Sequence, residues 1–334
     1  MADTAHAGNF RAGNTNAPVV FVHDAAIDEY IASMLLTLMS GVDLLGLIII
    51  NADCLADAAM EAASRLLQFL GKTEIPLALS RARGWNAFPW SYRGDCVKFN
   101  QLPCLQPYQP KVSTPPPDGE ELLTRLLREA IEKNAPLTLL MTGPLTPLVD
   151  VLDRDQSLSR GVGKIVWMGG AIDVPGNLDP STIDPSVANK HAEWNAFWDP
   201  YSVHDIFQRF GNIEIFPLDI SNTAPVSPDF LAKLQKQGQT YRYSQLAYEA
   251  YSLVGDQPFY RMWDVTAACW LSRPELYSQS QPMPLTIVQW GFEQAWIHKP
   301  LQPGPEKSQN VFFTFADLPG FYQYVLDMLA TSGR

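Results

Sequence analysis

The sequence has few cysteines and few basic residues, and these shortages exclude several classes of protein. Its 334 residues include four cysteines whose spacing matches neither a zinc finger nor a disulfide scaffold: Cys54, Cys96, Cys104 and Cys269. We therefore expect reduced thiols in a cytoplasmic protein. The 24 Lys+Arg against 35 Asp+Glu give a formal net charge of -11. Because affinity for a polyphosphate comes from clustered basic side chains, we expect no nucleic-acid partner.

Long apolar runs are also missing. The longest, at 44–50, is interrupted by Gly46 and falls well short of the about 20 residues that cross a bilayer. Residues 1–17 are small and polar and lack the apolar core of a signal segment. We predict a flexible tail over residues 1–17 and no membrane partner.

Several common catalytic motifs are absent. There is no G-x-G-x-x-G dinucleotide fingerprint and no G-x-S-x-G nucleophile elbow. The five histidines show no zinc-ligand spacing. These absences argue against a nicotinamide enzyme, a serine hydrolase of the elbow type and a zinc hydrolase.

Short apolar runs alternate with helical patterns along most of the chain. The runs rich in β-branched residues lie at 19–22, 44–50, 75–80, 137–143, 163–170 and 213–219. Strands that alternate with amphipathic helices predict an α/β fold, with a mostly parallel central sheet flanked by helices in an open, Rossmann-like arrangement. We expect a single catalytic domain over residues 18–332. In such sheets ligands bind at the carboxyl ends of the strands.

Two aromatic-rich stretches interrupt this alternation. Residues 81–117 contain seven prolines, and residues 238–262 show little apolar periodicity. Their aromatic residues include Phe88, Tyr251 and Phe259. Long irregular insertions of this kind are often lids or binding loops. The alternative is that their rings pack as satellite clusters over the sheet.

Acidic residues are concentrated where the first strand meets the first helix. Asp24, Asp28 and Glu29 fall within six residues there, directly after His23. Unpaired carboxylates at a buried strand end repel one another and take up protons, whereas a hard cation with oxygen ligands holds them ionised. The first turn of a helix also favours acidic side chains, so the residues alone leave both explanations open.

Polar residues follow other strands as well. The side chains expected at the same edge of the sheet are Asn51, Asp53, Thr142, Met168 and Asp264. The segment between residues 176 and 200 adds Asn177, Glu193 and Asn195, which suit hydrogen bonds to the hydroxyls of a small polar ligand. For Glu193 and Asn195 a helix cap is the alternative.

Together these segments resemble the calcium-dependent nucleoside hydrolases, and among them the purine-specific inosine-adenosine-guanosine group. The matching segments occur in one order: VVFVHDAAIDEY, MTGPLTPL, WMGGAIDVPGN, AEWNAFWDP, PLDISNTAPV and MWDVTAA. The resemblance covers almost the whole chain. It implies an enzyme that hydrolyses the N-glycosidic bond of purine ribonucleosides to a free base and ribose, and that acts as a homodimer.

The resemblance also implies roles for individual residues. Asp24 matches the general base, and Ca2+ has as its ligands Asp24, Glu29, the carbonyl of Thr142 and Asp264. The residues that match the ribose-binding positions are Asp28, Met168, Asn177, Glu193 and Asn195. Those that match the base-binding positions are Asp53, Trp263 and either Trp90 or Tyr92. Trp263 stands where the purine-specific group stacks the base.

Two positions depart from the family pattern. Val22 replaces the first aspartate of the N-terminal motif, and Ala26 replaces an asparagine. The first change removes a negative charge near the ion and the second removes a contact to the sugar. They leave open one alternative, a relative that binds a nucleoside or ribose without hydrolysing it. A hydrolase that also accepts pyrimidines is a second alternative, which Trp263 and the absence of a nearby histidine disfavour.

Overall fold

The computed structural model describes residues 16–331, apart from residues 90, 182, 256, 258 and 303. The strands are β1 (Ala17–His23), β2 (Val42–Ile49), β3 (Leu77–Leu79), β4 (Leu137–Thr142), β5 (Val162–Met168), β6 (Glu214–Phe216), β7 (Gln281–Pro284), β8 (Thr286–Ile287), β9 (Ile297–His298) and β10 (Ser308–Val311). The helices are α1 (Ile27–Leu38), α2 (Ala56–Leu70), α3 (Asp95–Asn100), α4 (Gly119–Glu132), α5 (Thr146–Arg154), α6 (Trp194–Trp198), α7 (Pro200–Arg209), α8 (Leu218–Ser221), α9 (Pro228–Gly238), α10 (Arg242–Ser252), α11 (Trp263–Trp270) and α12 (Leu318–Leu329).

Eight strands form the central sheet in the order β3-β2-β1-β4-β5-β6-β10-β7. All neighbouring strands are parallel except β7, which runs antiparallel to β10 at one edge. In the register of the sheet, His23 pairs with Ile49 on one side and with Thr142 on the other. The carboxyl ends of β1, β2 and β4 therefore lie side by side.

The sheet is covered by apolar residues on both faces. Alternate side chains of β1 point to opposite sides, so Val19 and Phe21 join one core cluster and Val20 and Val22 join the other. The first cluster contains residues of α1, α2, α10, α11 and α12, and the second contains residues of α4, α5 and α7. This two-sided burial explains the continuous apolar runs of the inner strands.

The structure confirms the single α/β domain with a mostly parallel sheet that the sequence predicts. Strand β1 starts at Ala17, inside the predicted tail of residues 1–17, and residue 332 lies outside the described residues. No helix in the described part of the chain is both long and apolar enough to cross a bilayer.

The prediction of an irregular stretch at 238–262 is wrong in part. Residues Arg242–Ser252 form helix α10, which buries Tyr243, Leu246, Ala247, Ala250 and Tyr251 at intervals of one, three and four residues. This spacing is helical, but much of the buried face consists of tyrosine and alanine and lacks the aliphatic residues that mark most amphipathic helices. The tyrosines therefore pack in the core.

Candidate active site

A tight turn between β1 and α1 places Asp24 at the carboxyl edge of the sheet. Ala25 in this turn has a φ of 70°, a left-handed conformation that costs a non-glycine residue about 1 kcal/mol. Glu29 stabilises the turn, because its carboxylate accepts hydrogen bonds from the main-chain N–H groups of Asp24, at 3.0 Å, and of Ala26. The hydroxyl of Thr142 also donates to Glu29 Oε1 at 2.7 Å, which ties the turn to β4.

The Asp24 carboxyl is buried and lies among other acids. Its side chain is 4% exposed, and its Oδ2 atom has no hydrogen-bond partner in the structure. Burial, and then the nearby Glu29 and Asp53 carboxyls, raise the pKa of Asp24 well above its usual range. Burial and neighbouring carboxyls likewise raise the pKa values of Glu29 and Asp264. The site is therefore short of positive charge.

A cavity of about 320 Å³ opens above Asp24. Nine residues predicted from the sequence line it: Asp24, Asp53, Thr142, Met168, Asn177, Glu193, Asn195, Trp263 and Asp264. These residues come from segments spread over about 240 positions of the chain, and the parallel strand ends and their following loops bring them together. A volume of this size falls within the range of pockets that enclose small organic molecules.

Four other predicted site residues do not appear among the residues that line this cavity. Asp28 and Glu29 are fully buried beside it in the first turn of α1. The ring of Tyr92 lies 5.5 Å from that of Phe259, which does line the cavity. Trp90 lies outside the described residues.

Hydrogen bonds to the main chain hold two polar side chains that line the cavity, those of Glu193 and Asn195. Glu193 is the N-cap of α6 and accepts from the N–H groups of Asn195, at 2.9 Å, and Ala196, at 3.2 Å. It also accepts from Gly170 N at 2.8 Å, and burial raises its pKa to about 7. Asn195 Nδ2 donates to the carbonyl of Met168 at 3.1 Å. The helix-cap alternative is therefore correct for Glu193, although its side chain also faces the cavity.

Aromatic rings form much of the remaining wall. They belong to Phe88, Trp194, Phe259, Tyr260 and Trp263. The indole N–H of Trp263 donates to Asn222 Oδ1 at 3.0 Å. Asp53 also lines the cavity, and burial, followed by the nearby Asp95, raises its pKa to about 8. An apolar ring system with polar edges suits these surroundings.

Some of these lining residues have no assigned role in the sequence prediction. Phe88, Phe259 and Tyr260 belong to the aromatic-rich stretches at 81–117 and 238–262, so composition indicates the region but not the individual rings. Asn222 and Arg261 lie in or near matching segments, yet no spacing rule marks them as part of a site.

The two departures from the family pattern have different surroundings. Val22 is fully buried and packs in the apolar cluster that contains Ile48 and Met141. A carboxylate at this position would be surrounded by these apolar groups, which disfavour the charged form. Ala26 lines the cavity, so its small side chain leaves space next to Asp24.

The oxygen atoms around Asp24 determine whether the site can bind a hard cation. Within the described residues, no three His, Cys, Asp or Glu side chains stand close enough together to form a metal-ligand group. Asp24, Asp264 and Thr142 nevertheless line one cavity, and the buried Oδ2 of Asp24 has no partner. Glu29, next to Asp24, accepts two hydrogen bonds at Oε1 and one at Oε2. These all-oxygen donors fit a cation of the Ca2+ type.

The fold and this acidic, aromatic-lined cavity define an α/β protein that binds a small ligand at the carboxyl edge of a parallel sheet. The family described as inosine-uridine preferring nucleoside hydrolase matches residues 19–316, and the chain belongs to this family. The non-specific ribonucleoside hydrolase RihC of Escherichia coli is 25% identical over 314 residues, which cover 94% of this chain and 98% of the relative.

Solved structures show the same fold. The inosine-uridine preferring nucleoside hydrolase from Bacillus anthracis superposes with a TM-score of 0.83 and 26% identity, over 95% of this chain and 100% of that chain. The purine-preferring ribonucleoside hydrolase from Gardnerella vaginalis gives a TM-score of 0.74 at 15% identity, over 94% and 100%. At that identity the second similarity concerns the fold alone.

Proposed function

We propose that the protein hydrolyses the N-glycosidic bond of purine ribonucleosides and that Asp24 is the general base. The observation that carries this proposal is the unpartnered, buried Oδ2 atom of Asp24, a residue that lines a cavity also lined by aromatic rings. An acceptor without a donor is costly at a buried site and is suited to take a proton from water.

In this reaction water attacks C1′ of the sugar as the bond to the base breaks. The transition state carries positive charge on the sugar ring and negative charge on the departing base. Asp24 accepts the proton of the attacking water, so it must be ionised before the reaction. Burial, and then Glu29 and Asp53, raise the pKa of Asp24, so a neighbouring positive charge favours its ionised form.

We propose Ca2+ as the source of this positive charge. A bound divalent cation lowers the pKa of water and keeps nearby carboxylates ionised. The proposed ligands are Asp24, Glu29, Asp264 and the main-chain carbonyl of Thr142. The support for them is their oxygen chemistry and their position around Asp24.

The proposed sugar contacts lie next to these acids. Asn177, Glu193 and Asn195 line the cavity and carry groups that hydrogen-bond hydroxyls, while Met168 offers an apolar surface to the ring. The resemblance adds Asp28 for the 2′- and 3′-hydroxyls. A ribose held in this way explains a preference for ribonucleosides over 2′-deoxyribonucleosides, because a missing hydroxyl leaves a buried polar group unpaired.

The proposed base contacts are Trp263, Asp53 and an aromatic ring of the 81–117 stretch. That ring is Trp90 or Tyr92 by resemblance, and Phe88 lies at the cavity itself. No histidine is present among the described lining residues, so these aromatic rings are the groups proposed to contact the leaving base. A broader specificity is the second candidate, favoured by the similarity to the non-specific enzyme of Escherichia coli.

A reducing-sugar assay across nucleosides tests the proposed function. With inosine, guanosine and adenosine we expect kcat/KM at least about tenfold above the values for uridine and cytidine, because the two-ring purine overlaps the aromatic side chains more than a pyrimidine does. We expect 2′-deoxyinosine to be a poorer substrate than inosine. Equal rates for purines and pyrimidines would establish the broader specificity. Tight binding of nucleosides without release of ribose would instead identify a binding protein.

Removal of divalent cations tests the proposed Ca2+. After prolonged dialysis against a chelator we expect turnover to fall by about a hundredfold or more, because water activation and the ionised state of Asp24 both depend on the ion. Addition of Ca2+ should restore the rate, while the same concentration of Na+ serves as the control. If the dialysed protein contains no divalent metal by elemental analysis and keeps its full rate, the metal assignment is wrong.

A further inference from the structure

Helix α11 lacks a capping side chain of its own. The residue before it, Met262, makes no side-chain hydrogen bond to the first turn. The N–H groups of Asp264 and Val265 donate instead to Asp28 Oδ2, each at 2.8 Å. These are two of the orphan donors that a helix start leaves unpaired. Asp28, more than 230 positions away in the sequence, therefore caps α11.

Two tyrosines fix the capping residue. The hydroxyl of Tyr251, on α10, donates to Asp28 Oδ1, and the main-chain N–H of Asp28 donates to the hydroxyl of Tyr260 at 3.1 Å. Asp28 and Tyr251 are completely buried, and Tyr260 is 7% exposed. Hydrogen bonds to a buried carboxylate are strong and geometrically restrictive. These hydrogen bonds join α1, α10 and α11 in one polar network.

The first turn of α11 carries two groups of the candidate active site. Trp263 and Asp264 both line the cavity, whereas Asp28 and Tyr251 do not appear among its lining residues. A shift of the start of α11 would move the indole of Trp263 and the carboxylate of Asp264 together. The position of both therefore depends on the hydrogen bonds that Asp28 accepts.

We propose that Tyr251 is a positioning residue for the hydrolysis, which acts through Asp28 to fix the start of α11. This inference rests on the proposed function. It gives Asp28 a role beyond the sugar contact that the resemblance implies, because three donors already occupy its carboxylate: the Tyr251 hydroxyl and the N–H groups of Asp264 and Val265. A carboxylate has about four acceptor sites, so about one remains for a substrate hydroxyl.

Replacement of Tyr251 by phenylalanine tests the proposal, with Tyr243→Phe as the control. Both tyrosines are buried on α10, and the network includes the hydroxyl of Tyr251 alone. For Tyr251→Phe we expect kcat for the preferred purine ribonucleoside to fall about tenfold, the effect of one hydrogen bond to a charged group, with KM within about twofold. For Tyr243→Phe we expect both constants to stay near the wild-type values.

Hydrogen exchange of the Asp264 and Val265 amides gives a second measurement that needs no turnover. We expect these amides to exchange about tenfold faster in Tyr251→Phe than in Tyr243→Phe, because the cap is loosened. Unchanged exchange would overturn the proposal, as would faster exchange with an unchanged kcat. A raised KM with unchanged exchange would instead show that Tyr251 supports a sugar contact. If the wild-type protein hydrolyses no nucleoside, but the Asp264 and Val265 amides still exchange faster in Tyr251→Phe, the proposed function fails. The role of Tyr251 in fixing the start of α11 would then stand.

Discussion

Replacing Asp24 by asparagine is expected to lower kcat for purine ribonucleosides by about a thousandfold, in the range of 10²–10⁴ that a general base contributes. The amide has nearly the same shape as the carboxyl but accepts no proton at neutral pH. The substitution also removes one proposed calcium ligand, which excess Ca2+ can offset, but the loss should persist at saturating Ca2+ because the base itself is missing. The measurement is release of reducing sugar at saturating substrate, with KM determined in parallel.

Asp184→Asn is a suitable control for this variant. Asp184 is exposed, and its carboxylate accepts a hydrogen bond from Ser186 N within its own loop. The substitution changes the net charge by the same amount as Asp24→Asn, so an effect of overall charge would appear in both variants. A folded Asp24→Asn protein that retains wild-type kcat would remove Asp24 from its role as base.

The same substitution should stabilise the protein while it reduces catalysis. Burial and the neighbouring carboxyls raise the pKa of Asp24 in the folded state. A carboxyl with a raised folded-state pKa contributes stability that is present below its unfolded-state pKa and is lost as the pH rises through the folded-state value. In the absence of metal, an uncharged amide at position 24 avoids this loss of stability. A gain in stability at the expense of activity is common for substitutions in active sites.

The parallel sheet could be predicted because its inner strands are buried on both faces. Runs such as 19–22 and 137–142 are continuous and rich in aliphatic residues, and the helices between them carry clear apolar stripes. The edge of the sheet gives a weaker signal. Strand β10 reads SQNV, and it forms a strand through its pairing with β6 and β7. Such pairing depends on contacts between distant segments, which local patterns do not encode.

In the candidate site, too, some features could be predicted from the sequence and others could not. Asp24 and Thr142 could be placed together because both stand at the carboxyl ends of neighbouring parallel strands. The hydrogen bonds from the main chain to Glu29 and from Tyr251 to Asp28 could not be predicted, since they depend on side-chain rotamers and on helix packing. Resemblance to a family indicates where residues such as Glu29 and Asp28 lie. The hydrogen-bond donors around their carboxylates become known only from the structure.

Truncation of Trp263 to alanine is expected to lower kcat/KM for purine ribonucleosides by about thirtyfold. One stacked base contributes about 1–3 kcal/mol, which corresponds to a factor of about 5 to 150. For uridine and cytidine we expect a fall of less than about threefold, because the smaller pyrimidine ring overlaps the indole less. The ratio of kcat/KM between inosine and uridine measures this difference.

Trp263→Phe separates stacking from the hydrogen bond of the indole. Phenylalanine keeps an aromatic face but loses the N–H that donates to Asn222 Oδ1. If stacking dominates, this variant should retain kcat/KM for inosine within about threefold, because an aromatic side chain still stacks. If Trp263→Phe instead loses as much as Trp263→Ala, the contact with Asn222 is what matters, and Trp263 orients the wall of the cavity without stacking the base. Because Trp263 and Asp264 share the first turn of α11, an equal fall for purines and pyrimidines would indicate a displaced Asp264 carboxylate and would count against base stacking.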